Sequence, residues 1–236
     1  MTTLNTDTLL EAKGLAAWYG AAQILFDVDL QVRRGEVVAL MGRNGAGKST
    51  TLKALIGMLA RRRGDIRFMG HDLSRSEPHH AARLGLGFVP EDRRIFTDLT
   101  VLENLTLAKQ DARYDHRQRV LSDWTLEKLF DLFPNLADMQ HRQASHMSGG
   151  EQQMLSVART LMGNPLLVML DEPSEGIAPA IVSRMSDMVV TLKRQGVSVL
   201  LSEQNLDFAH SVCDRTYMIE KGELSELVKM MGNTHI

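Results

Sequence analysis

Between residues 26 and 32, Phe26, Val28, Leu30 and Val32 alternate with Asp27, Asp29 and Gln31. A period of two puts the apolar set on one face of an extended chain, so a half-buried strand is expected within a β-rich segment over 9–34. The runs at 36–41, 166–170 and 197–201 are instead almost continuously apolar. Such runs predict strands covered on both faces, as in a parallel sheet. Shorter strands are expected at 66–69 and 86–89. The period then changes. Ile181, Val182, Met185, Met188, Val189 and Leu192 recur every three or four residues, which predicts one face of a helix. Trp124, Leu126, Leu129, Phe130, Leu132 and Phe133 recur at roughly the same spacing until Pro134, which is expected to end the run. Thr100-Val101-Leu102-Glu103 has the form of a capping box and should open another helix. Strands alternating with helices predict an α/β domain with a mostly parallel sheet, interrupted over 98–146 by a helical insertion. No internal repeat or low-complexity linker divides the chain.

Three motifs add chemistry to this outline. Gly42-Arg43-Asn44-Gly45-Ala46-Gly47-Lys48-Ser49 fits G-x-x-x-x-G-K-[ST], between the strand at 36–41 and a helix expected to run on through Thr50 to 56. Glycines let the backbone curl with its N–H groups inward, and the helix N-terminus adds free donors and partial positive charge. Lys48 is placed to reach the β- and γ-phosphates of a nucleotide, and the Ser49 hydroxyl to ligate Mg²⁺. The strand at 166–170 ends in Asp171-Glu172-Pro173, where ligands bind in open α/β sheets. Asp171 suits a Mg²⁺ role, and Glu172, pointing the other way along the strand, suits orienting an attacking water. Taken alone, the pair also fits a plain strand end before a turn proline. Ser148-Gly149-Gly150-Glu151-Gln152-Gln153 reads as a capped helix start, with Ser148 as N-cap and Glu151 as its partner. Two glycines in a first turn weaken a helix by about 1 kcal/mol each relative to alanine, yet they allow close approach of an anion.

Composition narrows the function classes. The 236 residues are 44% hydrophobic with a net charge of -2, enough apolar matter for a large core and no bulk basic signal for nucleic acid. The basic runs at 61–63 and 93–94 are short. Cys213 is the only cysteine, so an intrachain disulfide and a multi-cysteine zinc site are excluded. Residues 1–8 are polar and no apolar run approaches the ~20 residues that cross a bilayer. The chain is therefore expected to be soluble by itself, with any membrane role exerted through a partner.

With the three motifs in this order, the chain resembles the ATP-binding subunit of an ABC transporter over residues 9–223. The resemblance implies a phosphate-loop ATPase of ABC type. Its ATP-binding core and antiparallel β subdomain are expected at about 9–97 and 160–223, its helical subdomain at about 98–159, and a short tail at 224–236. It implies a head-to-tail dimer with ATP and Mg²⁺ between the phosphate loop of one subunit and the Ser148–Gly149–Gly150–Glu151 segment of the other. Tyr19 matches the aromatic residue that stacks on adenine, although a tyrosine on a β edge also fits plain packing. Glu91 falls where most members carry a metal-facing glutamine, and Gln204 where most carry a switch histidine that senses the γ-phosphate. The segment Glu175-Gly176-Ile177-Ala178-Pro179 departs from the commonest pattern after the Asp-Glu pair. These departures, with Pro90-Glu91 through Ile95-Phe96, Met147 to Gln153 and Glu203-Gln204-Asn205, look like the shorter ATPase subunit of importers for branched-chain amino acids and related amides, including urea. That subgroup usually continues after Glu223 through another strand and a longer tail, so a deletion is expected near the C-terminus.

The resemblance further implies permease subunits in the membrane, a sister ATPase or a second copy of this chain, and, indirectly, a solute-binding protein. It places the chain on the cytoplasmic face of the inner membrane. The groove around 91–104, where Arg93 and Arg94 sit beside Ile95 and Phe96, is the expected coupling surface, unless it is only an exposed loop. Two alternatives remain: a soluble ABC ATPase of the cluster-assembly type, and a non-catalytic regulatory cassette.

Overall fold

The computed structural model describes residues 7–115 and 117–227. Its elements in chain order are β1 (Thr8–Tyr19), β2 (Ala22–Arg33), β3 (Val37–Met41), α1 (Lys48–Ile56), β4 (Arg62–Phe68), β5 (His71–Asp72), α2 (Pro78–Leu84) and β6 (Leu86–Val89). They continue through α3 (Val101–Leu107), β7 (Arg113–Tyr114), β8 (Val120–Ser122), α4 (Leu126–Leu132), α5 (Pro134–Asp138) and α6 (Gly149–Leu161). The last are β9 (Leu167–Asp171), α7 (Pro179–Arg194), β10 (Ser198–Glu203), α8 (Leu206–Val212), β11 (Arg215–Glu220) and β12 (Glu223–Leu227).

The continuously apolar runs form the centre of a six-stranded sheet in the order β12-β11-β3-β10-β9-β6. Every neighbouring pair from β11 to β6 is parallel, and β12 closes the edge antiparallel to β11. Both faces of these strands are buried, and alternate residues enter different cores. Val37, Ala39 and Met41 pack with Val168, Leu170, Val199, Leu201 and helices α6 to α8. Val38 and Leu40 pack with Leu167, Met169, Leu200, α1 and the antiparallel sheet β2-β1-β4-β5. The sheet thus carries a helical core on one side and a β-rich core on the other, with the C-terminal ends of β3, β9 and β10 meeting at one edge.

Several expectations shift in detail. Phe26 was expected to share the inward face with Val28, but it is 41% exposed. Asp27 adopts φ 52, and the β1–β2 register slips there, with Leu15 opposite Val28 but Ala17 opposite Leu25. The bulge adds one residue and reverses the alternation, so Leu25 is buried in place of Phe26. Trp124 lies ahead of its helix rather than on it, because Thr125 caps α4 by accepting a hydrogen bond from the Lys128 amide at 3.4 Å. Pro134 ends α4 but also opens α5, where the missing N–H has no partner to lose. The insertion is not purely helical, since β7 and β8 form a small hairpin. The Thr100 capping box forms as expected: its hydroxyl accepts from the Glu103 amide at 3.2 Å, and Glu103 accepts from the Thr100 amide at 2.7 Å. Residues 224–227, at the start of the expected tail, pair with β11 as part of strand β12. The rest of that tail, 228–236, lies outside the described residues.

Candidate nucleotide site

The phosphate loop joins β3 to α1. Gly45 and Gly47 have φ of 79 and 115, a region that side chains disfavour. At Gly42 the constraint is space, because an added Cβ would lie 2.5 Å from the Ile219 carbonyl. No side chain caps α1 at Gly47, so its first-turn amides are left to an anion. Lys48 is only 3% exposed. Its Nζ donates to the carbonyls of Gly42 at 2.8 Å and Arg43 at 3.2 Å, and pairs with Glu172 Oε1 at 3.1 Å.

The end of β9 lies against this loop. Asp171 Oδ1 accepts hydrogen bonds from Ser49 at 2.8 Å and Ser202 at 2.7 Å. Its other oxygen, Oδ2, is buried and has no protein partner. Burial raises the Asp171 pKa, against the two serine hydrogen bonds. A carboxylate oxygen left unsatisfied beside a serine hydroxyl is a hard-oxygen donor set that fits Mg²⁺. Among the described residues no group of three or more acidic, histidine or cysteine side chains is assembled to hold a metal.

Glu172 follows at φ 48, held by its amide to the Ser202 carbonyl and hydroxyl at 3.1 and 3.0 Å. Gln204 Nε2 donates to Glu172 Oε2 at 2.8 Å and to Asn44 Oδ1 at 2.6 Å, bridging the acid to the phosphate loop. Burial pushes the Glu172 pKa up, but hydrogen bonds involving Glu175, Gln204 and Lys48 outweigh it and the net shift is downward. Glu175 moves the other way, raised to about 7 by its hydrogen bond with Glu172, by burial and by the nearby Glu172 and Glu91 charges. The opposite shifts favour Glu172 over Glu175 as the group that carries the charge.

Other expected residues lie further out. Ser148 and Glu151 form their capping box, with Glu151 accepting from the Ser148 amide at 2.7 Å and the Ser148 hydroxyl accepting from the Glu151 amide at 3.4 Å. These bonds are made within the helical lobe. The two glycines there also have a local packing reason. An added Cβ at Gly150 would lie 3.0 Å from Ile181, and one at Gly149 3.2 Å from the Arg93 guanidinium. Arg93 was expected on a coupling surface. The residue is partly buried against α6, where Nη1 donates to Gln152 at 3.3 Å and the Arg93 carbonyl accepts from Ser156 at 2.6 Å. Glu91 is exposed, and Tyr19 ends β1 at 49% exposure.

Two contributors escaped the sequence reading. Ser202 ties Asp171 to Glu172 across β10, and it stands one residue before the Glu203-Gln204-Asn205 triplet. Gly222, in the turn between β11 and β12, donates its amide to the Ala46 carbonyl at 2.9 Å and accepts from Phe26 at 2.9 Å. It has φ 82, and a Cβ there would sit 1.9 Å from the Ile24 carbonyl. Gly222→Ala is expected to lower stability by about 3 kcal/mol, read as a fall in Tm with the purified protein.

Residues 25–175 match the family model described as ABC transporter. The chain is 40% identical over 216 residues to the high-affinity branched-chain amino acid transport ATP-binding protein BraG of Pseudomonas aeruginosa, covering 92% of this chain and 91% of that protein. It is 33% identical to the lipopolysaccharide export system ATP-binding protein LptB of Haemophilus influenzae, covering 92% and 89%. A solved structure of an ATP-binding subunit of an ABC transporter superposes with a TM-score of 0.77 at 33% identity, covering 93% of this chain and 90% of that one. The phosphate loop and the Asp-Glu strand end meet in the fold of an ATP-binding cassette: this chain belongs to the ABC transporter family, as an ATPase subunit.

Proposed function

We propose that this subunit energises an importer for branched-chain amino acids or related amides such as urea. The observation that carries the substrate class is the 40% identity to a branched-chain amino acid transport ATPase across 92% of this chain. In this reading Tyr19 stacks on adenine, while Lys48 and the loop from Gly42 to Thr50 hold the phosphates. Ser49 and Asp171, with Glu91 from outside, hold Mg²⁺, which when bound offsets charge on the phosphates. Glu172 orients the attacking water. Gln204 positions Glu172 and, by giving up its bond to Asn44, donates to the γ-phosphate. Ser148, Gly149, Gly150 and Glu151 complete the site of a second cassette packed head to tail, a sister ATPase or another copy of this chain. Preorganised donors and charges around the transferring phosphoryl group supply most of the catalysis.

The work is delivered to permease subunits. Among the described residues no helix is long and apolar enough to cross a membrane. The exposed side chain of Met58, with Ile56, Leu86 and Phe88, lines a groove of about 910 Å³, and Arg159, which also lines it, stacks over the exposed Phe96 ring at 5.1 Å. An apolar rim with a fixed cation suits a short segment projecting from a permease at the cytoplasmic face of the inner membrane. The similarity to lipopolysaccharide export ATPases at 33% identity supports a second reading, in which the same cassette drives export.

The test is mass spectrometry of what co-purifies with the tagged protein from gently solubilised native membranes. A multi-span permease pair with a second cassette ATPase and a solute-binding protein is the expected result. Partners of a lipid exporter would move the assignment to the second reading. Recovery from the soluble fraction alone would favour the cluster-assembly type and remove the transport proposal.

A further inference from the structure

Glu203 ends β10 at 2% exposure, yet among the described residues no cationic side chain forms an ion pair with it. Backbone amides satisfy it instead. Oε1 accepts from the Ser174 amide at 2.9 Å, and Oε2 accepts from the amides of Gln204 at 3.1 Å and Asn205 at 3.2 Å. Its own carbonyl accepts from the Gly42 amide at 3.3 Å. A single residue is thus bonded to the loop after β9, the loop after β10 and the first residue of the phosphate loop.

A strand end that needed only capping could use a serine or an asparagine, and neither carries a buried charge. The carboxylate has two properties they lack. Its two oxygens reach two separate loops at once, and its charge strengthens each amide bond. Those loops carry the two partners whose contact matters, for Ser174 is two residues after Glu172, and Gln204 directly follows Glu203. The 2.8 Å bond between Gln204 and Glu172 spans the same gap.

We propose that Glu203 is a positioning residue for ATP hydrolysis, clamping the loops after β9 and β10 so that Gln204 and Glu172 stay in register over the phosphate loop. This rests on the roles proposed above for Glu172 and Gln204. Glu203 is buried with its carboxylate bonded to backbone amides, and acts through that pair. Because Ser174 opens the segment 174–178, the clamp also makes the Gln204–Glu172 distance sensitive to any displacement of that segment.

The experiment is steady-state ATP hydrolysis by the full chain, comparing wild type, Glu203→Gln, Gln204→Ala and the double variant. Glu203→Gln keeps shape but presents an NH₂ group to an amide donor, so one loop is released. It is expected to lower kcat about tenfold with the KM for ATP held within about twofold, and to add less than about twofold once Gln204 is alanine. Glu203→Asp, which keeps charge but loses reach, is expected to show the same pattern. An unchanged kcat, a KM rising in step with the fall in kcat, or independent multiplication with Gln204→Ala would overturn the proposal. Loss of folding in both Glu203 variants would do so too, making Glu203 a folding residue. If Glu172→Gln and Gln204→Ala themselves leave turnover intact, it is the reading of the site that fails rather than the clamp alone.

Discussion

Glu172→Gln is expected to reduce kcat for ATP hydrolysis by about 10²–10⁴-fold, the range associated with a positioned general base. The amide keeps the shape of the side chain and can still accept a hydrogen bond from Gln204. It cannot accept a proton or carry the charge that Glu172 holds through its net downward pKa shift. The loop from Gly42 to Thr50, proposed to hold ATP, is untouched, so the variant is expected to bind ATP and fail to turn it over. Comparing nucleotide affinity with single-turnover hydrolysis separates the two effects. A loss of binding equal to the loss of turnover would mean that Glu172 holds the loop rather than the water.

The second large effect is expected at Lys48, and it has two parts. Lys48→Met removes the cation proposed to meet the phosphates and should lower kcat/KM by about 10²–10³-fold, as removal of a preorganised charge stabiliser does. It also strands Glu172. The two side chains are 2% and 7% exposed and 3.1 Å apart, and breaking such a buried pair leaves an uncompensated charge at a cost of about 3 kcal/mol. A lowered Tm is therefore expected in Lys48→Met, with part of it recovered when Glu172→Gln is added. Activity should not recover with it. Equal Tm values in the single and double variants would show that the pair contributes nothing to the fold.

The residues that were legible in the sequence are those whose chemistry is local. The phosphate loop, the Asp171–Glu172 strand end and the two capping boxes each occupy a few consecutive positions, and their backbone geometry follows from residue type. The continuously apolar runs at β3, β9 and β10 announced a parallel sheet because burial on both faces leaves no alternation. The errors arose where one residue changes phase or where a contact closes over a long stretch of chain. The bulge at Asp27 turns Phe26 outward, and nothing in the alternation around it marks the slip. Thr125 caps α4 behind Trp124, and the side chain of Asn164, forty residues away, receives the Trp124 amide. Gly222 braces Ala46 from the far end of the chain, and Arg93 locks onto α6 through Gln152 and Ser156. Such pairings depend on tertiary placement, which a periodic pattern does not encode.

The most direct test of the account is uptake of radiolabelled leucine, isoleucine and valine by cells lacking this protein, complemented with wild type or with Glu172→Gln. The account predicts lost uptake in the deletion, recovery with wild type and none with Glu172→Gln, although the variant protein is present at the membrane. Uptake that persists in the deletion, or that Glu172→Gln restores, would contradict it.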